Sequence, residues 1–229
     1  MKGFSQFVVL SLSALVTLSS SATGATVSFA QAFGPKAVPF AAAPLATLSQ
    51  FDPALGTLTK VTLALDANTS AGSIAWDNEA TIATDVTLGI GTKLTAVGLA
   101  GATAVAIPLQ TGTAMGVAAD NDGTADFIGT DSFSVVGGSG SDSAMDVLVT
   151  GFTPYIGLGT FDVTVSSVVE TFLSTTGGFG PIGPKPGMTD GTINVIYEYT
   201  PIPEPGTLIL LTSGLVPLAF FLWRRRLRA

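Results

Sequence analysis

Apolar residues in the middle of this chain recur with a period of two and nowhere with the period of a helix, which restricts the body to strands. From Thr57 to Asp66, Val61, Leu63 and Leu65 fall on one side and Lys60, Thr62 and Asp66 on the other. Phe161, Val163 and Val165 alternate with Asp162, Thr164 and Ser166, and Ile193, Val195, Tyr197 and Tyr199 with Thr192, Asn194 and Glu198. Residues 80–90 place Ile82, Val86, Leu88 and Ile90 on one face. Each segment predicts a strand with one buried face.

Turn chemistry separates these segments at Asp52-Pro53-Ala54-Leu55-Gly56, Asp77-Asn78, Gly98 to Gly101, Asn121-Asp122-Gly123 and Gly137-Gly138-Ser139-Gly140. The stretch from Gly177 to Gly187 is so rich in Gly and Pro that it reads as a long loop. Only 11% of the residues are charged, against about 25% in ordinary soluble domains, so the long charged side chains that solvate helix surfaces are scarce. The expected fold is all-β, an antiparallel β-sandwich of about eight to ten strands.

Both ends stand apart from this body. Lys2 is followed by the apolar run Phe7 to Leu18 and then by small residues from Ser19 to Ala25. That order is the pattern of a secretory signal peptide over residues 1–25, cleaved after Ala22 or Ala25. Its apolar run falls short of the roughly 20 residues that span a bilayer. At the other end, residues 202–229 hold Pro203-Glu204-Pro205, then an uncharged stretch over 206–223, then a basic tail with Arg224, Arg225, Arg226 and Arg228. As a helix, residues 206–223 would reach about 27 Å, enough to cross the hydrocarbon core. The arginines would keep the tail cytoplasmic and the domain at 26–201 outside. Pro201, Pro203 and Pro205 enforce an extended approach, the backbone form a processing protease needs.

The tripeptide, apolar helix and terminal arginine cluster, in that order, resemble the sorting signal of PEP-CTERM proteins. The resemblance implies that an exosortase-type enzyme recognises Pro203, Glu204 and Pro205, cuts nearby, and delivers the domain to the cell surface or extracellular matrix. A second resemblance rests on Phe51-Asp52-Pro53-Ala54-Leu55-Gly56-Thr57-Leu58 and the closing segment Ile193 to Pro201, which look like the choice-of-anchor domains, E type. Those domains are attached to alternative sorting tails and have no established activity.

Chemistry within the body is sparse. The chain has no Cys and no His, which removes thiol nucleophiles, disulfides, Cys/His zinc sites and the commonest general base. Residues 26–205 hold four lysines against sixteen acidic residues, a net charge of −12, a surface that repels nucleic acid. Asp120, Asp122 and Asp126, with Asp131 at the twelfth position, make one candidate calcium loop, although its Gly123 stands fourth rather than sixth; the simpler reading is a solvated polar turn. Asp77 and Glu79 beside Trp76 can be drawn as a carboxylate pair with a sugar platform, yet the sequence reads more simply as a turn, and no catalytic residue is expected. Phe127, Phe133, Phe152 and Phe179 are expected to fill the core rather than a sugar-binding face. No cofactor is expected apart from that calcium candidate. The expected function is a non-enzymatic, exported surface or matrix protein with a structural or adhesive role among exopolysaccharides. The alternative is a carbohydrate-binding or calcium-assisted lectin-like module.

Overall fold

A computed structural model describes residues 24–120 and 122–202. The expected signal peptide up to Thr23, the sorting tripeptide, the expected membrane helix and the terminal arginines lie outside the described residues. The described residues form twelve strands: β1 (Ala25–Ala37), β2 (Phe40–Ser49), β3 (Gly56–Ser70), β4 (Ser73–Asp77), β5 (Thr84–Val97), β6 (Thr103–Ala106), β7 (Leu109–Val117), β8 (Ser132–Val136), β9 (Ser139–Leu148), β10 (Thr160–Thr175), β11 (Ile182–Lys185) and β12 (Met188–Pro201). They form three antiparallel sheets: β1-β12-β3-β9, then β2-β10-β5-β6 with β7 also on β5, and a small sheet β11-β4-β8.

The all-β antiparallel expectation holds, and the count of eight to ten strands is corrected to twelve. One reason lies in Gly177 to Gly187, read from sequence as loop throughout. Ile182 to Lys185 form β11 there, pairing with Trp76 to Ser73 of β4. This is the outer strand of its sheet, where Pro184 costs no central ladder bond. A second correction concerns Ile82, which lies ahead of β5 and is 53% exposed. Asn78 Nδ2 donates to the Ile82 carbonyl at 2.9 Å and to those of Val117 and Ala118, so the chain before β5 follows a side-chain anchor rather than a ladder.

Period-two burial is clearest in β12, where Ile193, Val195 and Tyr197 are fully buried and the residues between them partly exposed. Those side chains join Val61, Leu63 and Leu65 of β3 and Val163 and Val165 of β10 in one core shared by the two larger sheets. A second core lies under the small sheet, where Ile74, Trp76 and Val135 meet Val86, Leu88 and Ile90 of β5. β5 serves both cores, since its Leu94 and Ala96 belong to the first.

Where the two larger sheets meet at their margins, side chains replace ladder bonds. Asp146 Oδ2 accepts from Thr103 N at 2.8 Å and Asp142 Oδ2 from Ile107 N at 2.6 Å, joining β9 to the β6 margin. On the opposite side Gln31 Oε1 accepts from Thr47 N at 2.8 Å, joining β1 to β2. These bonds occupy amides that would otherwise be open at a sheet edge.

Register sets the long axis. Ala25 pairs with Tyr199, and Pro201 with Gly56, so the first and last described strands begin and end at one pole. At the other end of β12, Met188 pairs with Ala37 and Ser70, immediately before β4 and the small sheet. A 14-residue strand is about 45 Å long, which separates the small sheet from the tail pole by most of the molecule's length.

Candidate functional site: the sorting junction and the distal pole

β12 carries the chain to the tail pole, and the Asp52 to Gly56 turn grips it there. Asp52 Oδ1 accepts from Ala54 N at 2.8 Å and the Asp52 carbonyl from Leu55 N at 3.1 Å, closing the turn. The Leu55 carbonyl then accepts from Ile202 N at 3.3 Å. Gly56 is required at this point: any Cβ there would strike the Thr200 carbonyl and the Pro201 backbone. The fold therefore holds the chain up to Ile202, one residue before the Pro203-Glu204-Pro205 tripeptide.

Aromatic side chains brace this junction from inside. Tyr197 lies 5.7 Å from Phe51, 6.2 Å from Phe29 and 6.3 Å from Tyr155, ring centre to ring centre, and Phe51 lies 5.2 Å from Tyr199. The Tyr197 hydroxyl donates to the Ser49 carbonyl and the Tyr155 hydroxyl to that of Leu99, each at 2.9 Å. Burial pushes the Tyr155 phenol up to about 12 and raises that of Tyr197 as well, so both stay neutral donors at any physiological pH. Lys60 and Glu198 form an ion pair across β3 and β12 nearby. The two segments that resemble choice-of-anchor domains, Phe51 to Leu58 and Ile193 to Pro201, are thus brought into direct contact.

The acidic candidates gather at the opposite pole. Asp77, 1% exposed, accepts from Asp126 N at 3.0 Å and Phe127 N at 3.2 Å through Oδ2. Glu79 Oε2 accepts from Gly123 N at 2.9 Å. Asp77 and Glu79, drawn from sequence as a carboxylate pair, instead hold the 118–131 loop by its backbone. Trp76 is fully buried, so it offers no sugar platform. Asp122 Oδ1 and Asp126 Oδ1 each accept from the amide two residues on, those of Thr124 and Ile128, the local turn chemistry of short acidic side chains.

Asp120 stands among Asp131, Asp122 and Glu79. A hydrogen bond to the Asp131 side chain, then desolvation, then the charges of Asp122, Asp131 and Glu79 raise its carboxyl to about 6. Among the described residues no three acidic side chains converge in a way that could hold a metal ion. The raised value means that the folded loop favours protonated Asp120. Its contribution is present below the ordinary carboxylate pKa near 3.8 and is lost as pH rises through about 6. Asp120→Asn keeps a donor toward Asp131 and removes the charge. Amide exchange across residues 118–131 is expected to slow severalfold in this variant at pH 7.5 and to match wild type at pH 4, as read by hydrogen-exchange mass spectrometry.

An open cleft of about 430 Å³ lies on the outer face of the small sheet, beside this loop. Its floor comes from two cross-strand rows, the small residues Gly183-Ala75-Ser134 and then Lys185-Ser73-Val136. Phe127, at φ 57°, lays its ring over Gly183 and walls one side. Of the four aromatic residues expected in the core, Phe133 and Phe152 pack against it, Phe127 is half-buried here, and Phe179 is 66% exposed.

Residues 201–226 match the PEP-CTERM protein-sorting motif. The match begins at Pro201, the last residue of β12, and carries the implication of that motif: an exported protein, processed by an exosortase and sorted to the cell surface. No curated protein matches the chain. Among solved structures, one of infectious bursal disease virus, Gt strain, aligns at 12% identity with a TM-score of 0.11, over 85% of this chain. The chain spans about half of that structure's length, 49%, and the likeness is too slight to bear on the fold.

Proposed function

We propose that this chain is a non-enzymatic surface or matrix protein whose domain at residues 26–201, a β-sandwich of choice-of-anchor type closest to the E class, has a structural or adhesive role in the exopolysaccharide layer. Residues 1–25 act as the export signal and residues 202–229 as the sorting tail, with Pro203, Glu204 and Pro205 recognised by the exosortase, residues 206–223 crossing the membrane and Arg224, Arg225, Arg226 and Arg228 setting its direction. The observation that carries the reading is the junction. The ladder and the Leu55 contact hold the chain to Ile202, so the tripeptide follows the fold without a linker. Opposite that pole, the small sheet and acidic loop face away from the anchoring surface. The single core shared by the two larger sheets supports the sandwich description.

A second reading, a carbohydrate-binding module, is favoured by the cleft beside Phe127, where an aromatic wall adjoins the Ser73 and Ser134 side chains and the charged groups of Asp126 and Lys185. Both readings make the chain a binder and not a catalyst. Cells lacking it are expected to lose cohesion of the exopolysaccharide layer, and the purified mature chain is expected to leave matrix glycan length unchanged by size-exclusion analysis. Undiminished cohesion, or shortening of the glycan, would overturn the proposal.

A further inference from the structure

β10 is open along half its length. Thr160 to Ser167 pair with β2 on one side, and Thr164 to Thr175 pair with β5 on the other. From Val168 onward no described strand lies on the side away from β5. Three outer strands are blunted: β2 carries Pro44 and gives its Thr47 amide to Gln31, β6 and the residue after it give amides to Asp146 and Asp142, and β11 carries Pro184. Val168-Val169-Glu170-Thr171-Phe172-Leu173-Ser174-Thr175 has no proline and a single charge. Val168 is 52% exposed, Phe172 45% and Leu173 41%. An apolar strand with free backbone groups is a template for one more strand.

The chemistry of this ribbon fits a second copy of the chain. Copies with a net charge of −12 over residues 26–205 repel unless they meet where charge is balanced. Lys93 pairs with Val168, and Glu170 pairs with Gly91, so Lys93 and Glu170 are diagonal neighbours on one face and the ribbon is locally neutral. An antiparallel pair centred on Phe172 sets Phe172 against its own counterpart, Thr171 against Leu173, Glu170 against Ser174 and Val169 against Thr175. No like charges then stand opposite each other, and the contact has the self-complementary form of a two-fold interface.

The location of the open half gives this pairing a direction. Thr160 is at the tail pole, where its partner Ser49 accepts from Tyr197, whereas Thr175 pairs with Val86 of the second core. Antiparallel pairing of the two distal halves therefore reverses the long axes and sends the two sorting tails to opposite ends. We propose that the free edge Val168 to Thr175 joins two copies displayed on facing cell surfaces, a homotypic adhesive contact. Its adhesive meaning rests on the surface-display reading above, while the pairing itself is a property of the folded chain.

The test uses the uncleaved full-length chain in detergent solution, so that failure of pairing and failure of exosortase processing are read separately. Because the chain has no Cys, Thr171→Cys and Thr57→Cys each provide one spin-label site for pulsed distance measurement. A concentration-dependent dimer is expected, with Thr171 labels within about 20 Å of each other, since facing strands lie about 5 Å apart. Thr57 labels, each displaced along the strands by about 3.4 Å per residue, should be separated by more than about 60 Å. Val168→Lys combined with Phe172→Lys should weaken the dimer at least tenfold while leaving the thermal midpoint of the monomer unchanged. A chain that stays monomeric at high concentration, Thr57 labels as close as the Thr171 pair, or a lysine variant that dimerises as tightly as wild type would overturn the proposal.

Discussion

Tyr197→Ala is expected to destabilise the domain by about 4 kcal/mol, the range for emptying a buried aromatic site, with chemical denaturation of the mature protein as the measurement. Tyr197 is fully buried and lies among Phe29, Phe51 and Tyr155, so truncation opens a cavity and removes three aromatic pairs together. It also leaves the Ser49 carbonyl without its hydroxyl partner. Tyr197→Phe isolates that last effect and should cost about 1 to 2 kcal/mol, the usual price of one lost buried hydrogen bond. Equal losses in the two variants would show that the hydroxyl, not the packing, secures the tail pole. Because Tyr197 sits on the strand that ends at Pro201, the alanine variant should also loosen the junction. Faster exchange of the Tyr199 to Ile202 amides is the expected accompaniment.

The largest functional effect is expected at Glu204. On the proposed recognition of the tripeptide by the exosortase, the two flanking prolines leave the glutamate carboxylate as its only charged side-chain feature. Glu204→Ala is expected to abolish tail removal without touching the domain, since it lies beyond the Ile202 amide on the Leu55 carbonyl, the last contact among the described residues. The precursor should accumulate with a wild-type thermal midpoint. A variant such as Gly56→Val acts on the other side of the junction. It would force apart Gly56 and Thr200 and disturb the fold itself, so the two substitutions separate recognition from presentation.

How much of this was legible in the residues varied with how one-sided each strand's burial is. β3, β12 and the first half of β10 bury one face fully and leave most of the other at least partly exposed, so Val61, Val163 and Ile193 announced their strands. β9, Ser139–Leu148, buries no residue fully and offered no such rhythm. β11 was hidden by Pro184, whose reading as a loop marker neglects the tolerance of an outer strand for proline. Ile82 kept the rhythm of β5 by coincidence, ahead of a strand that begins at Thr84.

At the acidic pole the sequence did not show what the carboxylates partner. Asp77 and Glu79 read more simply as part of a turn than as a carboxylate pair, whereas they serve amides 44 to 50 residues away, a long-range relation no local pattern records. Asn78 was passed over as a turn residue, although it is fully buried and its amide meets three carbonyls. The small row Gly183-Ala75-Ser134 comes from three separate strands and exists only once the register is set. The sorting motif, by contrast, is a contiguous stretch of sequence over residues 201–226, legible without any strand register.

The most direct test of the account is the intact mass of the mature protein taken from its native cell surface or medium, for wild type and for Glu204→Ala. The account predicts a wild-type chain that ends near Pro203 to Pro205 and a variant that retains residues 206–229. A wild-type chain carrying its complete tail would contradict the account and leave a simple membrane-anchored domain.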